Sequence, residues 1–181
     1  MIDRKLVLMS GFPGSGKSTL GAALAEGLGF ALISKDAMLM TLYAAFEFPP
    51  GDAAASSRTG AAAWAVFWQQ ARLTPRAVLD TNMQWANQPQ REALRALEGA
   101  VVEVYCDCPP EVAQQRYADR ATVGHAAQRY TRLDEERLAL YDRPVGIGEL
   151  VRVDTNGPVD IGRLVADLGA RLGVGRAAPS R

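Results

Sequence analysis

Short, unbroken apolar runs recur along the chain, and between them lie stretches whose apolar residues fall three or four positions apart. The runs at 5–10, 30–34, 76–80, 100–106 and 150–153 each carry two to four consecutive apolar side chains, the pattern of strands buried on both faces. The intervening stretches read as helices. Leu20, Leu24 and Leu28 share one helical face, and so do Trp64, Phe67, Trp68 and Ala71. The spacing predicts helices over about 20–28, 37–46, 58–72, 88–98, 110–120, 131–141 and 158–172. Pro49, Pro50, Gly51 and the Ala/Ser stretch to Ser57 read as a loop. So does the polar segment 121–130, which reads as mobile, and the tail 173–181 reads as flexible. Strands alternating with helices predict one doubly wound domain over 1–172, its parallel sheet covered on both faces.

One junction in this pattern is chemically distinctive. Gly11-Phe12-Pro13-Gly14-Ser15-Gly16-Lys17-Ser18-Thr19 fits G-x-x-x-x-G-K-[ST], with a strand before it and a helix after it. Glycines let the backbone wrap an anion with its N–H groups inward, and the helix N-terminus adds the positive end of a dipole. Lys17 then reaches the β- and γ-phosphates, and the Ser18 hydroxyl is a ligand for Mg²⁺. This stretch predicts binding of a nucleoside triphosphate.

In open parallel sheets the ligand lies beyond the carboxyl ends of the strands. Besides the glycine loop, those ends deliver Lys35-Asp36, Asp80-Thr81-Asn82, Asp107 and Asp154-Thr155-Asn156. Asp36 has two readings: a general base facing the γ-phosphate, or a cap for the helix that follows. Asp80 has three. It steadies Mg²⁺, it holds an acceptor together with Asn82, or it forms a local turn. Arg116 and Arg120 lie four apart on a helix leading to the polar loop, with Arg129, Arg132 and Arg137 beyond. On a lid over about 116–132 their guanidinium groups would neutralise a phosphoryl group in transit. The interleaved Asp119, Asp134, Glu135 and Glu136 equally fit a solvated face. His125 is the only histidine and stands alone in that loop. The Trp64/Phe67/Trp68 face serves either as core or, through Trp64 and Trp68, as the wall of an acceptor site.

Composition narrows the partners. Among 181 residues, 20 Lys and Arg balance 20 Asp and Glu, so no general attraction to nucleic acid or anionic lipid is expected. No run reaches the roughly 18 apolar residues of a membrane helix, and the first residues lack a signal-peptide core. Cys106 and Cys108, two apart at a strand end, have no His or further Cys to complete a metal site and read as buried thiols. A soluble, reduced, cytoplasmic protein is expected.

Three segments together resemble the small P-loop kinases that include bacterial polynucleotide kinases, chloramphenicol phosphotransferase and the zeta-type toxins. They are Gly11–Thr19, Ile33-Ser34-Lys35-Asp36 and Val78-Leu79-Asp80-Thr81-Asn82. The stretch from Pro109-Pro110-Glu111-Val112 through Arg116 to Arg120, and the late Val153-Asp154-Thr155, look like that family's lid and adenine-side segments. The resemblance implies a three-layer α/β sandwich with sheet order 2-3-1-4-5 and a helical lid. It also implies ATP with Mg²⁺ as donor, Asp36 as general base, and Thr155, Asn156 and Pro158 near the adenine. One departure bears on the acceptor. Polynucleotide-kinase members tend to carry an arginine just after the base, whereas Ala37, Met38, Leu39 and Met40 follow here. The expected activity is therefore phosphorylation of a hydroxyl on a small molecule such as an antibiotic, sugar or nucleoside. A 5′-hydroxyl nucleic-acid kinase is the alternative, and a slow nucleotide-hydrolysing regulatory module a third reading. A regulatory GTPase is excluded by the lack of an N-K-x-D segment.

Overall fold

Residues 3–46, 53–121 and 133–174 are described by a computed structural model. In chain order the elements are β1 (Lys5–Ser10), α1 (Lys17–Leu28), β2 (Ala31–Ser34), α2 (Lys35–Phe46), α3 (Ala53–Leu73) and β3 (Arg76–Asp80). There follow α4 (Gln88–Arg95), β4 (Ala100–Asp107), α5 (Pro110–Ala121), α6 (Glu135–Ala139), β5 (Glu149–Asp154) and α7 (Ile161–Leu172). The five strands pair in parallel in the order β2-β3-β1-β4-β5.

Strand β1 lies at the centre, and Leu6, Val7, Leu8 and Met9 are fully buried. Their alternation divides the core into two layers, since successive strand side chains face opposite ways. Val7 and Met9 join Leu20, Leu24 and Leu28 of α1 and Leu164, Val165, Leu168 and Leu172 of α7. Leu6 and Leu8 join Phe67 and Ala71 of α3, Leu79 of β3 and Leu94 of α4. Each fully buried leucine contributes about 1.5–3 kcal/mol, so the sheet is clamped from both sides. This clamping fixes where the strand ends stand. Among the described residues no helix is long and apolar enough to cross a membrane.

Several boundaries differ from the sequence reading, each for a local reason. Helix α3 begins at Ala53 rather than near Arg58, taking in described Ala and Ser residues assigned to the loop. Alanine is the strongest helix former, and Thr59 Oγ1 returns a hydrogen bond to the Ala55 carbonyl (2.8 Å). Helix α4 stops at Arg95, short of Glu98, which adopts a left-handed φ of 50°. The helix expected over 131–141 is the short α6, capped by Asp134, whose Oδ1 accepts from the Arg137 amide (2.9 Å). Helix α7 starts at Ile161, because Asp160 accepts from the Arg163 amide (3.0 Å), while Asp154 holds the Asn156 amide (2.8 Å) in a turn. The mobile loop expected over 121–130 lies, from residue 122 on, outside the described residues, as do 131–132 of the proposed lid and the tail from 175.

Candidate active site

The phosphate loop closes between the end of β1 and the start of α1. Gly16 caps α1 with φ 93°, a backbone conformation that side-chain-bearing residues rarely adopt. At Gly14, φ is 91° and a Cβ would run into the carbonyl oxygen of Ala113 on α5. The loop is thus packed directly against α5. Lys17, buried to 6% exposure, donates from Nζ to the carbonyls of Gly11 (2.9 Å) and Phe12 (2.7 Å). Phe12 itself packs inward on Cys108 and Ala113. The hydroxyl of Ser15 is fully buried without a hydrogen-bond partner, a donor inside a cradle shaped for an anion.

A cavity of about 720 Å³ opens over this loop. Its floor includes Gly14, Gly16, Lys17, Ser18 and Thr19, and the strand-end residues Asp36, Asp80 and Asn82 line it as well. Asp80, 4% exposed, accepts from Ser18 Oγ at Oδ1 (3.2 Å) and from Ser34 Oγ at Oδ2 (2.9 Å). One hydroxyl and one carboxylate of hard oxygen character thus meet beside the loop. That donor set suits Mg²⁺, which takes one or two protein ligands together with phosphates and water. Among the described residues no group of three or more His, Cys, Asp or Glu side chains forms a self-sufficient metal site.

Asp36 is not the cap of α2. That helix begins one residue earlier, and the Ala37 amide is met by Ser34 Oγ (3.4 Å), so Asp36 sits inside the first turn. A carboxylate there is favoured by the helix dipole. Both its oxygens are held. Oδ2 accepts from Asn82 Nδ2 (3.0 Å), and Oδ1 pairs with Lys35 Nζ (2.5 Å). The carboxyl side chain is still 50% exposed, so it is anchored yet reachable.

The adenine-side residues behave differently from one another. Thr155 is buried, tied to the Asp107 carbonyl through both its amide (2.8 Å) and its hydroxyl (3.1 Å), and lines the cavity with Gly157. Asn156 is exposed and contributes its carbonyl to Arg116. Pro158 lines a separate groove beside β5 and α7, and Val159 and Ile161 form the cavity wall instead. Arg116 borders the cavity, but its guanidinium donates to the carbonyls of Thr155 (3.0 Å) and Asn156 (3.3 Å). It therefore braces the wall opposite α1. The side chain of Arg120, and His125, Arg129 and Arg132 entirely, lie outside the described residues. Arg137 pairs with Asp134 (3.3 Å).

A second cavity of about 820 Å³ adjoins the first and shares Pro13, Asn82 and Tyr117 with it. Trp64 lines it. Trp68 does not: it stacks on Trp64 (ring centroids 5.6 Å) and packs on the core beneath. The remaining wall comes from α2 and α3, and from the 84–90 segment and residues 133–141, whose wall residues the sequence reading missed. Tyr141 belongs to it, accepting from Gln84 Nε2 (3.3 Å). Its phenol is pushed above the ordinary tyrosine value, chiefly by burial and further by the charge of Asp36, against the hydrogen bond from Gln84. The two cysteines are buried and unbridged, and burial pushes the Cys106 thiol up to about 12.

Comparison with known proteins agrees with this architecture. The AAA domain family matches residues 6–143. A proposed kinase of Chloroflexus aurantiacus superposes with a TM-score of 0.77 at 24% identity, over 96% of this chain and 98% of the other. The APS kinase of Mycobacterium tuberculosis, solved with AMPPNP and APS, gives 0.62 at 18% identity over 96% and 99%. Shikimate kinase of Acinetobacter baumannii, bound to shikimate, gives 0.59 at 20% over 94% of each chain. No curated protein matches the sequence significantly. The fold is that of the P-loop kinases.

Proposed function

We propose, from the premise that this chain belongs to the AAA domain family, that it is an ATP-dependent kinase acting on a hydroxyl group of a small molecule. The observation that carries this is Asp36. It lines the nucleotide cavity with Lys17, and its partner Asn82 lines the adjoining cavity as well. A protein that only binds nucleotide has no use for a carboxylate held at both oxygens opposite the phosphate loop. The APS kinase relative was solved with AMPPNP, which supports ATP as donor, and the shikimate and APS of the two relatives support a small acceptor.

In this reading the loop amides and Lys17 hold the β- and γ-phosphates. Reaching them means exchanging the Gly11 and Phe12 carbonyls for phosphate oxygens. Ser18 and Asp80 would hold Mg²⁺, which when bound neutralises charge on the phosphates. Asp36 accepts the proton of the acceptor hydroxyl as the acceptor oxygen bonds to the γ-phosphorus and the bond to the β-bridging oxygen breaks, releasing ADP. Arg116 supports the nucleotide wall from behind, and Arg120 remains the lid candidate for the charge in transit. The unbridged thiols support a reducing, cytoplasmic setting.

The test is transfer of labelled γ-phosphate from Mg-ATP to a panel of small alcohols, with a 5′-hydroxyl oligonucleotide in parallel. Label on a small alcohol that disappears in Asp36→Asn is the expected result. Label on the oligonucleotide alone would replace the acceptor class. Turnover unchanged in Asp36→Asn would remove the base assignment.

A further inference from the structure

The second cavity carries an inference about which small molecule is phosphorylated, and it rests on the kinase reading above. We propose that the acceptor is a neutral, ring-shaped polyol of the sugar or cyclitol type, selected by Gln84, Gln90 and Tyr141.

Charge is the first consideration. The cations on the described wall already face carboxylates: Lys35 pairs with Asp36 at 2.5 Å, and Arg137 with Asp134 at 3.3 Å. Glu136 adds a negative charge to the wall, and Asp36 stands at its edge. An acceptor carrying a carboxylate or phosphate would meet two acids and two cations that are already engaged. Bringing its charge out of water would not be repaid there.

The neutral polar groups fit a polyol. Hydroxyls both donate and accept, and so do primary amides and phenols. Gln84 and Asn82 lie two apart in the stretch after β3. Asn82 reaches Asp36 and Gln84 reaches the Tyr141 hydroxyl, which ties the recognition groups to the base along one short segment. Because Tyr141 accepts from Gln84, its own proton is left to donate, and burial keeps the phenol protonated at neutral pH. Gln90 Oε1 accepts from the Gln84 backbone amide (3.4 Å), which sets the Gln90 amide beside the same row. Leu39, Trp64, Leu133 and Leu140 supply apolar surface, as the C–H face of a ring requires.

The experiment uses the full chain with Mg-ATP labelled in the γ position and four acceptors: glucose, myo-inositol, gluconate and glucose 6-phosphate. Transfer to a neutral polyol is expected, with kcat/KM at least about 10-fold above either anion. Removing one polar contact is expected to raise the acceptor KM about 10-fold in Tyr141→Phe and in Gln84→Ala, one decade per lost hydrogen bond to a hydroxyl. The KM for ATP and kcat should stay within about 2-fold. Tyr141→Phe keeps the ring that packs near Phe12, Cys108 and Ala113, and a matching thermal midpoint confirms that it folds. Preferred transfer to gluconate or glucose 6-phosphate, still dependent on Asp36, would overturn the neutral-polyol class and leave the kinase standing. Unchanged acceptor KM in both variants would overturn the roles of Gln84 and Tyr141. No transfer to any of the four, with Asp36-dependent transfer to another alcohol of the wider panel, would overturn this proposal and leave the kinase standing; no Asp36-dependent transfer to any member of either panel would overturn both.

Discussion

The two cavities are neighbours built by opposite means. The nucleotide cavity is shaped largely by backbone. Residues of one short stretch, from Pro13 to Thr19 at the strand-to-helix junction, make its floor, and glycine conformations with close packing on α5 fix its form. The adjoining cavity is shaped by side chains from α2, α3, the 84–90 segment and the 133–141 segment, which lie far apart in sequence. Backbone recognition is indifferent to most substitutions, while side-chain recognition changes with each one. A single scaffold can therefore keep one donor while its acceptor differs.

That division predicts separable phenotypes. Asp36→Asn should have the largest effect on chemistry, lowering kcat about 10²–10⁴-fold while ATP affinity by calorimetry stays nearly unchanged. A parallel fall in ATP affinity would break the comparison, because Asp36 would then belong to the donor side. Lys17→Ala should lower kcat by about 10²–10³-fold and weaken ATP binding as well, leaving acceptor binding intact.

Two smaller effects test the scaffold. Glu103 on β4 is 1% exposed and accepts from Ser10 Oγ (2.6 Å) and from the amides of Val145 (2.7 Å) and Gly146 (2.8 Å). It joins the end of β1 to the segment before β5. Glu103→Gln places an amide NH₂ against these donors, and chemical denaturation should show a loss of about 2–4 kcal/mol with KM values little changed. A large change in ATP affinity would mean that this carboxylate sets the loop geometry as well.

The smallest effect is a pH dependence. The Cys106 thiol is held near 12 by burial against an ordinary value of 9.0. The folded chain therefore keeps a proton that the unfolded chain gives up. Its contribution is complete below pH 9 and fades as pH rises towards 12. Stability should fall by roughly 1 kcal/mol by pH 10 from this group alone. Thermal melts at pH 8 and pH 10 measure it, and Cys106→Ala should flatten the difference.

What the sequence revealed follows the same line. The loop, the five strands and the burial of β1, β3 and β4 were legible because each is a local pattern: Gly11–Thr19 is contiguous, and Leu6 to Met9 is an unbroken apolar run. The burial expected of β2 and β5 was not met, since both are edge strands and leave Leu32 and Leu150 exposed. Asp80 and Asn82 were legible as strand-end residues, although not their partners. The alternative of Asp36 as helix cap fails because α2 already starts at Lys35 and Ser34 Oγ takes the Ala37 amide, which leaves Asp36 inside the first turn. Pro158 was placed on the adenine side through the family resemblance, whereas the cavity wall falls to Val159 and Ile161, set by where Asp160 starts α7. Tyr141 and Gln84 gave no signal. They meet only through the fold, 57 positions apart, and neither lies in a motif. Trp64 and Trp68 show the limit of periodicity, which assigned them one face but not which of the two rings meets the cavity.

Pro13, Asn82 and Tyr117 border both cavities. In engineering terms they form a connector: one residue from the loop, one from the end of β3 and one from α5. Grafting a new acceptor wall onto this chain is a matter of replacing residues beyond the connector while leaving those three in place. A graft that disturbs Asn82 removes the hydrogen bond that holds Asp36, the carboxylate we propose as the base, however well the new wall binds.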